Sequence, residues 1–157
     1  RSQNAFERTD WYVTQNNCDV MMSLDLGSVQ VDDRESQVSE LELELLSGDI
    51  EQLISLGCEL SERLPAFMGV ISKAERGERL IHNADPMAEP LPKTREHWLH
   101  WLSRALDPLS GPAPKEAIRA LEAMGDQHAI SLYRNGIQRG ELPKGLARWM
   151  IEQSWSQ

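Results

Sequence analysis

At 157 residues and 17.8 kDa the chain has room for one domain, or for one domain and a helical appendage. Hydrophobic residues at 40% and charged residues at 26% support a packed core and exclude wholesale disorder. A formal charge of −9, from 25 acidic and 16 basic residues, argues against nucleic acid as a partner, and no apolar run is long enough to make a membrane one.

In chain order, Trp11-Tyr12-Val13-Thr14-Gln15 is β-prone and is followed by Asn16-Asn17, a turn pair. Val20 to Leu26 has strand length, and Gly27-Ser28 punctuates it before Val29-Gln30-Val31, which fits a bent strand or a second hairpin. The polar run Asp32 to Gln37 reads as a loop. The clearest pattern is Val38-Ser39-Glu40-Leu41-Glu42-Leu43-Glu44-Leu45-Leu46, where carboxylates alternate with leucines at period two. It predicts a strand with one acidic and one apolar face. Ser47-Gly48-Asp49 ends that strand, and Asp49 is placed to cap a helix whose apolar stripe is Ile50, Leu53, Ile54, Gly57, Leu60 and Leu64. Pro65 stops it. A short charged helix is expected over Ser72 to Leu80.

Residues 82–93 carry Pro86, Pro90 and Pro92 and read as a linker. Beyond it the period is helical. Thr94 is a cap for a helix holding Trp98, Leu99, Trp101, Leu102, Ala105 and Leu106, and Asp107 through Pro114 is a break. A long helical stretch from Lys115 to Ile137 has an interruption signal at Gly125-Asp126, and a last helix runs from Lys144 to about Trp155. Strands first and helices after predict an α+β chain, divided at 1–81, 82–93 and 94–157. Two cysteines, Cys18 and Cys58, make no disulfide framework, and no charged-then-apolar leader opens the chain, so a cytoplasmic location is expected. The first residue is Arg1 rather than Met, as in a fragment or a processed chain.

Glu40, Glu42 and Glu44 project from one strand face at steps of about 7 Å. Facing water, such a row is a solvated surface. Facing an enclosed space, it needs Lys and Arg or a divalent cation, because unpaired buried carboxylates are very unfavourable. Hard oxygen donors of this kind suit Mg2+ or Mn2+. Asp25, on a neighbouring candidate strand, is placed to add a fourth carboxylate. Lys73 and Arg76 in Ser72-Lys73-Ala74-Glu75-Arg76-Gly77 suit a phosphate contact, or else a solvated helix turn.

Residues 38–80 taken together resemble a known family. VSELELELLSGD and SKAERGERL, joined by an amphipathic helix, look like the C-terminal part of the CYTH domain of triphosphate tunnel metalloenzymes. Bacterial inorganic triphosphatases and class IV adenylate cyclases are members. Phe6-x-Arg8-x-x-Trp11 and Ser23-Leu24-Asp25-Leu26-Gly27-Ser28-Val29 extend the similarity to about residues 5–80.

The resemblance implies an eight-stranded antiparallel tunnel with basic residues for a triphosphate and acidic residues for metal. It implies that Glu40 and Glu42 are the catalytic metal-binding pair, that Glu44 continues their face, and that Asp25 is an inward-facing ligand. It implies phosphate contacts from Lys73, Arg8 and Arg76, with Mg2+ or Mn2+ as cofactor. The activity implied is metal-dependent hydrolysis of inorganic triphosphate or a related triphosphate.

Two departures stand out: the family's opening Glu-x-Glu-x-Lys is absent, and position 10, usually basic, is Asp10. A second chain or an upstream segment is therefore expected to complete the tunnel. The alternative is a non-enzymatic scaffold that binds phosphate or protein. In many relatives a histidine-rich CHAD domain follows, but residues 94–157 hold only His97, His100 and His128, and read as a helical bundle whose tryptophans pack its core.

Overall fold

A computed structural model describes residues 2–83, 85, 87–107 and 113–155. The core of the break expected between Asp107 and Pro114, and positions 84 and 86 of the expected linker, lie outside the described residues. Strands β1 (Ser2–Gln15), β2 (Cys18–Val31) and β3 (Arg34–Ser47) form one antiparallel sheet in the order β1-β2-β3. Asn16 and Asn17 join the first pair with both residues at positive φ, the hairpin geometry in which Asn is tolerated. Asp32, at φ 55°, turns the second hairpin.

The loop expected over residues 32–37 is shorter in the structure. Only Asp32 and Asp33 make the turn, while Arg34 to Gln37 already pair with Ser28 to Val31. The ladder satisfies their backbone groups, and that outweighs a polar composition poor in strand formers. For the same reason β1 begins at Ser2, well before the β-prone segment at Trp11. Of the two readings for residues 20–31, a single continuous strand is the one observed. Gly27 allows it: a Cβ there would lie 2.2 Å from the Ala5 carbonyl oxygen and 2.5 Å from Phe6 Cα.

Helices α1 (Ile50–Arg63), α2 (Lys73–His82), α3 (Arg95–Leu106), α4 (Pro114–Ala123), α5 (Gln127–Gln138) and α6 (Leu146–Trp155) follow, so the described chain is α+β. It divides into two compact units, Arg1–Cys58 with Lys73–Asn83, and Glu59–Ser72 with Ala84–Gln157. In the first, α2 packs on β2 and β3 and buries Arg76 and Gly77 against them. The sheet interior under this helix is apolar at Val29, Val31 and Val38.

The second unit has the larger core. Leu102, Leu121, Leu146 and Met150 are fully buried, each contributing about 2 kcal/mol of transfer free energy. Gly125 at φ 68° breaks the long helical stretch into α4 and α5. Asp126 then caps α5 by accepting from the Ala129 N–H at 3.0 Å, and its other oxygen accepts from Trp149 Nε1 at 2.7 Å. Thr94 caps α3, its hydroxyl oxygen accepting from the His97 N–H at 3.2 Å.

Candidate functional site

Strand register assembles the site before any side chain is considered. Across the sheet, Arg8 stands opposite Asp25 and Asp25 opposite Glu40. The next same-face row is Asp10, Ser23 and Glu42, and the one beyond is Tyr12, Met21 and Glu44. On the other side of the Asp25 row come Phe6, Gly27 and Val38. Period-two alternation therefore gathers residues from three distant stretches of chain onto one face.

Asp25 is the centre of this face, with its side chain 0% exposed. Arg8 grips it as a fork, Nε donating to Oδ1 and Nη2 to Oδ2, each at 2.8 Å. Lys73, the first residue of α2, reaches the same group. Its Nζ lies 2.8 Å from Asp25 Oδ2, 2.7 Å from Glu40 Oε2 and 3.4 Å from Glu42 Oε1. Arg8 Nη2 also approaches Glu42 Oε2 at 3.7 Å. The Phe6 ring lies under the ammonium, 5.2 Å from Nζ to the ring centroid.

The electrostatics follow from these contacts. Hydrogen bonds from Arg8 hold the Asp25 carboxyl well below the usual carboxylate range; burial opposes the shift, and Lys73 reinforces it. For Lys73, burial pulls the ammonium down, but hydrogen bonds to Asp25 and Glu40 and the attraction of Glu40 and Glu42 outweigh it and raise it above the usual lysine range. The Asp25 hydrogen bond raises the Arg8 guanidinium too. All three are fully charged at neutral pH. Three carboxylates against two cations leave one net negative charge.

Among the described residues, Asp25, Glu40 and Glu42 are the three acidic groups whose oxygens converge within 4.8 Å of one another. Their donor chemistry, three hard carboxylate oxygens, fits Mg2+ or Mn2+, and the Lys73 ammonium is a stand-in cation on the same oxygens. Glu44 shares their face one row further along, opposite Met21, and is exposed. Arg76 is buried, and its Nη1 donates to Ser36 Oγ at 3.3 Å.

Two participants carry no role in the sequence reading. Phe6 is one: its spacing of two from Arg8 puts it on the site face, but its ammonium partner depends on the docking of α2. The other is the pair in which the buried Ser23 hydroxyl donates to Asp10 Oδ1 at 2.7 Å. It occupies the row next to Asp25, so the acidic residue at position 10 is held by a neutral donor. In the helical unit, Trp98 and Trp101 pack edge to face at 6.1 Å, and Trp149 lies 6.3 Å from Tyr133. These tryptophans belong to the core, as expected. Among the described residues no helix is long and apolar enough to cross a membrane. No family model matches this chain.

Proposed function

We propose that the first unit is one wall of a CYTH-type tunnel and contributes to metal-dependent hydrolysis of inorganic triphosphate or a related triphosphate. The observation that carries this reading is the convergence of Asp25, Glu40 and Glu42 oxygens within 4.8 Å, with Lys73 and Arg8 on the same carboxylates. Carboxylates for a divalent ion interleaved with cations for phosphate are what a metal-bound polyanion requires.

In this reading Asp25, Glu40 and Glu42 hold Mg2+ or Mn2+, which when bound supplies Lewis-acid polarisation of phosphate oxygens and a more acidic water. Arg8 presents guanidinium N–H groups to equatorial phosphate oxygens, and its fork on Asp25 fixes their direction. Lys73 presents its ammonium as a mobile point charge. Arg76, through Ser36, ties α2 to β3 and so sets where Lys73 starts. Three strands do not close a barrel, so turnover needs further strands from an upstream segment or a second chain.

The test is phosphate release from inorganic triphosphate with Mg2+ or Mn2+, in the protein with its tunnel completed. Glu42→Gln is expected to cut hydrolysis at least about 100-fold with little loss of folding, since the Glu42 side chain is 53% exposed. Unchanged hydrolysis overturns the assignment.

A second reading is favoured by one observation: the three carboxylates have a cationic partner within the chain, Lys73 Nζ lying within 3.4 Å of each. In it the sheet is a non-enzymatic scaffold that binds phosphate or a protein, and among the described residues neither edge strand, β1 or β3, pairs with a further strand. Titration of triphosphate into the chain separates the two. Binding that requires Mg2+ supports the first, and metal-independent binding or none supports the second.

A further inference from the structure

We propose that β1 is a self-complementary edge through which two copies of this chain join, antiparallel about a two-fold axis at Thr9, so that their three-stranded sheets become one continuous sheet. The inference rests on the sequence and register of β1 and is independent of what the carboxylates hold.

β1 is 14 residues long and, among the described residues, β2 is its one strand partner. Proteins ordinarily keep such an edge from pairing with proline, lysine, a bulge or a shorter strand. Ser2–Gln15 holds no proline and no lysine, and its register against β2 runs from end to end without a shift. From Gln3 to Gln15 only Phe6 and Val13 are half-buried, and the rest are exposed. The charges along the strand are Glu7, Arg8 and Asp10.

Backbone geometry limits the registers in which two such edges can meet. The N–H and C=O groups of successive residues point alternately toward β2 and away from it, so outward residues must match outward residues across the edge. For two identical antiparallel strands this puts the axis on a residue, never between two. An axis on Arg8 sets guanidinium opposite guanidinium, and one on Glu7 or Asp10 sets carboxylate opposite carboxylate. An axis on Thr9 does the reverse: Arg8 of each copy stands opposite the partner's Asp10, giving two opposite-charge pairs.

The other positions agree with that register. Phe6 falls opposite the partner's Tyr12 on the site face, ring beside ring, and Ala5 opposite the partner's Val13 on the other face. Tyr12, 76% exposed, thereby gains an aromatic neighbour. Arg8 can take part with its fork on Asp25 in place, since 44% of its side chain is exposed. Asp10, which holds neither metal nor phosphate in the reading above, becomes half of the pair that selects the register.

The edge at β3 offers no such match. Glu40, Glu42 and Glu44 recur there at period two, so an axis anywhere from Glu40 to Glu44 sets Glu opposite Glu or strands Leu46 against a carboxylate. Pairing of β1 with β3 of another copy is head-to-tail and leaves an edge at each end, whereas pairing at β1 closes at two copies. In the closed pair, Asp25 and the partner's Asp25 share one face about 14 Å apart across the strands. Each Arg8 then has a carboxylate from the other chain beside it.

Sedimentation equilibrium of the full chain over a concentration series is expected to show a monomer of 17.8 kDa in equilibrium with a species of twice that mass. Asp10→Lys sets like charges opposite each other twice and is expected to raise the dissociation constant at least about tenfold, with circular dichroism verifying the fold. Thr9→Cys checks the axis without altering charge. Its two thiols stand on Cα atoms about 5 Å apart, within disulfide reach, so mild oxidation is expected to link the copies. Glu7→Cys, with its copies about 13 Å apart along the strands, and the unaltered chain with Cys18 and Cys58 are expected to stay unlinked. A mass of 17.8 kDa at every concentration overturns the proposal, as does assembly beyond two copies. A dimer indifferent to Asp10→Lys, or one that Thr9→Cys links no better than Glu7→Cys, has a different interface and overturns it too.

Discussion

Asp25 shows how one residue collects several energetic terms. Fully buried, it is stable as an anion because Arg8 and Lys73 supply charged donors to both its oxygens. Removing the charge strands two cations, of which Arg8 is partly solvated at 44% exposure, so Asp25→Asn is expected to cost about 2 kcal/mol at neutral pH.

Its pH signature has a definite sign. The folded carboxyl titrates below its unfolded value, so its stabilisation is present above about pH 4 and is lost as pH falls through the lower folded value. Lys73 has the opposite sense: its contribution holds below its ordinary value and fades as pH rises through the higher folded one. Urea denaturation at pH 7 and pH 3 should show a smaller acid loss in Asp25→Asn than in the unaltered chain. Equal losses in the two would show that Asp25 is not the linked group.

At the scale of elements, the site depends on register. A one-residue slip of β1 on β2 would move Arg8 off the face that carries Asp25. Gly27 guards this register, since its pairing with Phe6 brings backbone atoms to within 2.5 Å of where a Cβ would stand. Gly27→Ala must push β1 away and is expected to cost about 2–4 kcal/mol. The perturbation should be visible as a shift of the Arg8 Nε–H resonance toward that of a free guanidinium. A variant with unaltered stability and an unaltered Arg8 signal would remove Gly27 from this role.

The strand at Val38 to Leu46 was legible because alternation at period two has no helical counterpart, and Glu40, Glu42 and Glu44 inherit their common face from it. The residues from Arg34 to Gln37 were not legible. Polar side chains carry a loop signal, whereas their place in the sheet comes from backbone hydrogen bonds that composition does not encode.

At the scale of the molecule, the helical unit owes its stability to close packing around Leu102, which is completely buried. Leu102→Ala is expected to destabilise that unit by about 3 kcal/mol, and Leu132→Ala, at a position 54% exposed, by under about 0.5 kcal/mol. Denaturation followed by tryptophan fluorescence, which reports Trp98, Trp101 and Trp149 in this core, measures both. Similar midpoints for the two variants would refute the assignment of the core.

What the sequence determined by itself was the class of each element, because turn residues, caps and hydrophobic period are local signals. Asn16-Asn17, Thr94 and Gly125-Asp126 each mark a boundary where the chain turns, caps or breaks. It also placed the acidic row on one face. Tertiary structure decided which cation meets that row. Lys73 lies 31 residues or more from Glu40 and Glu42 along the chain, and Phe6 is further still from Lys73. Their meeting depends on how α2 docks on β2 and β3, a packing choice made by the whole buried surface rather than by any segment.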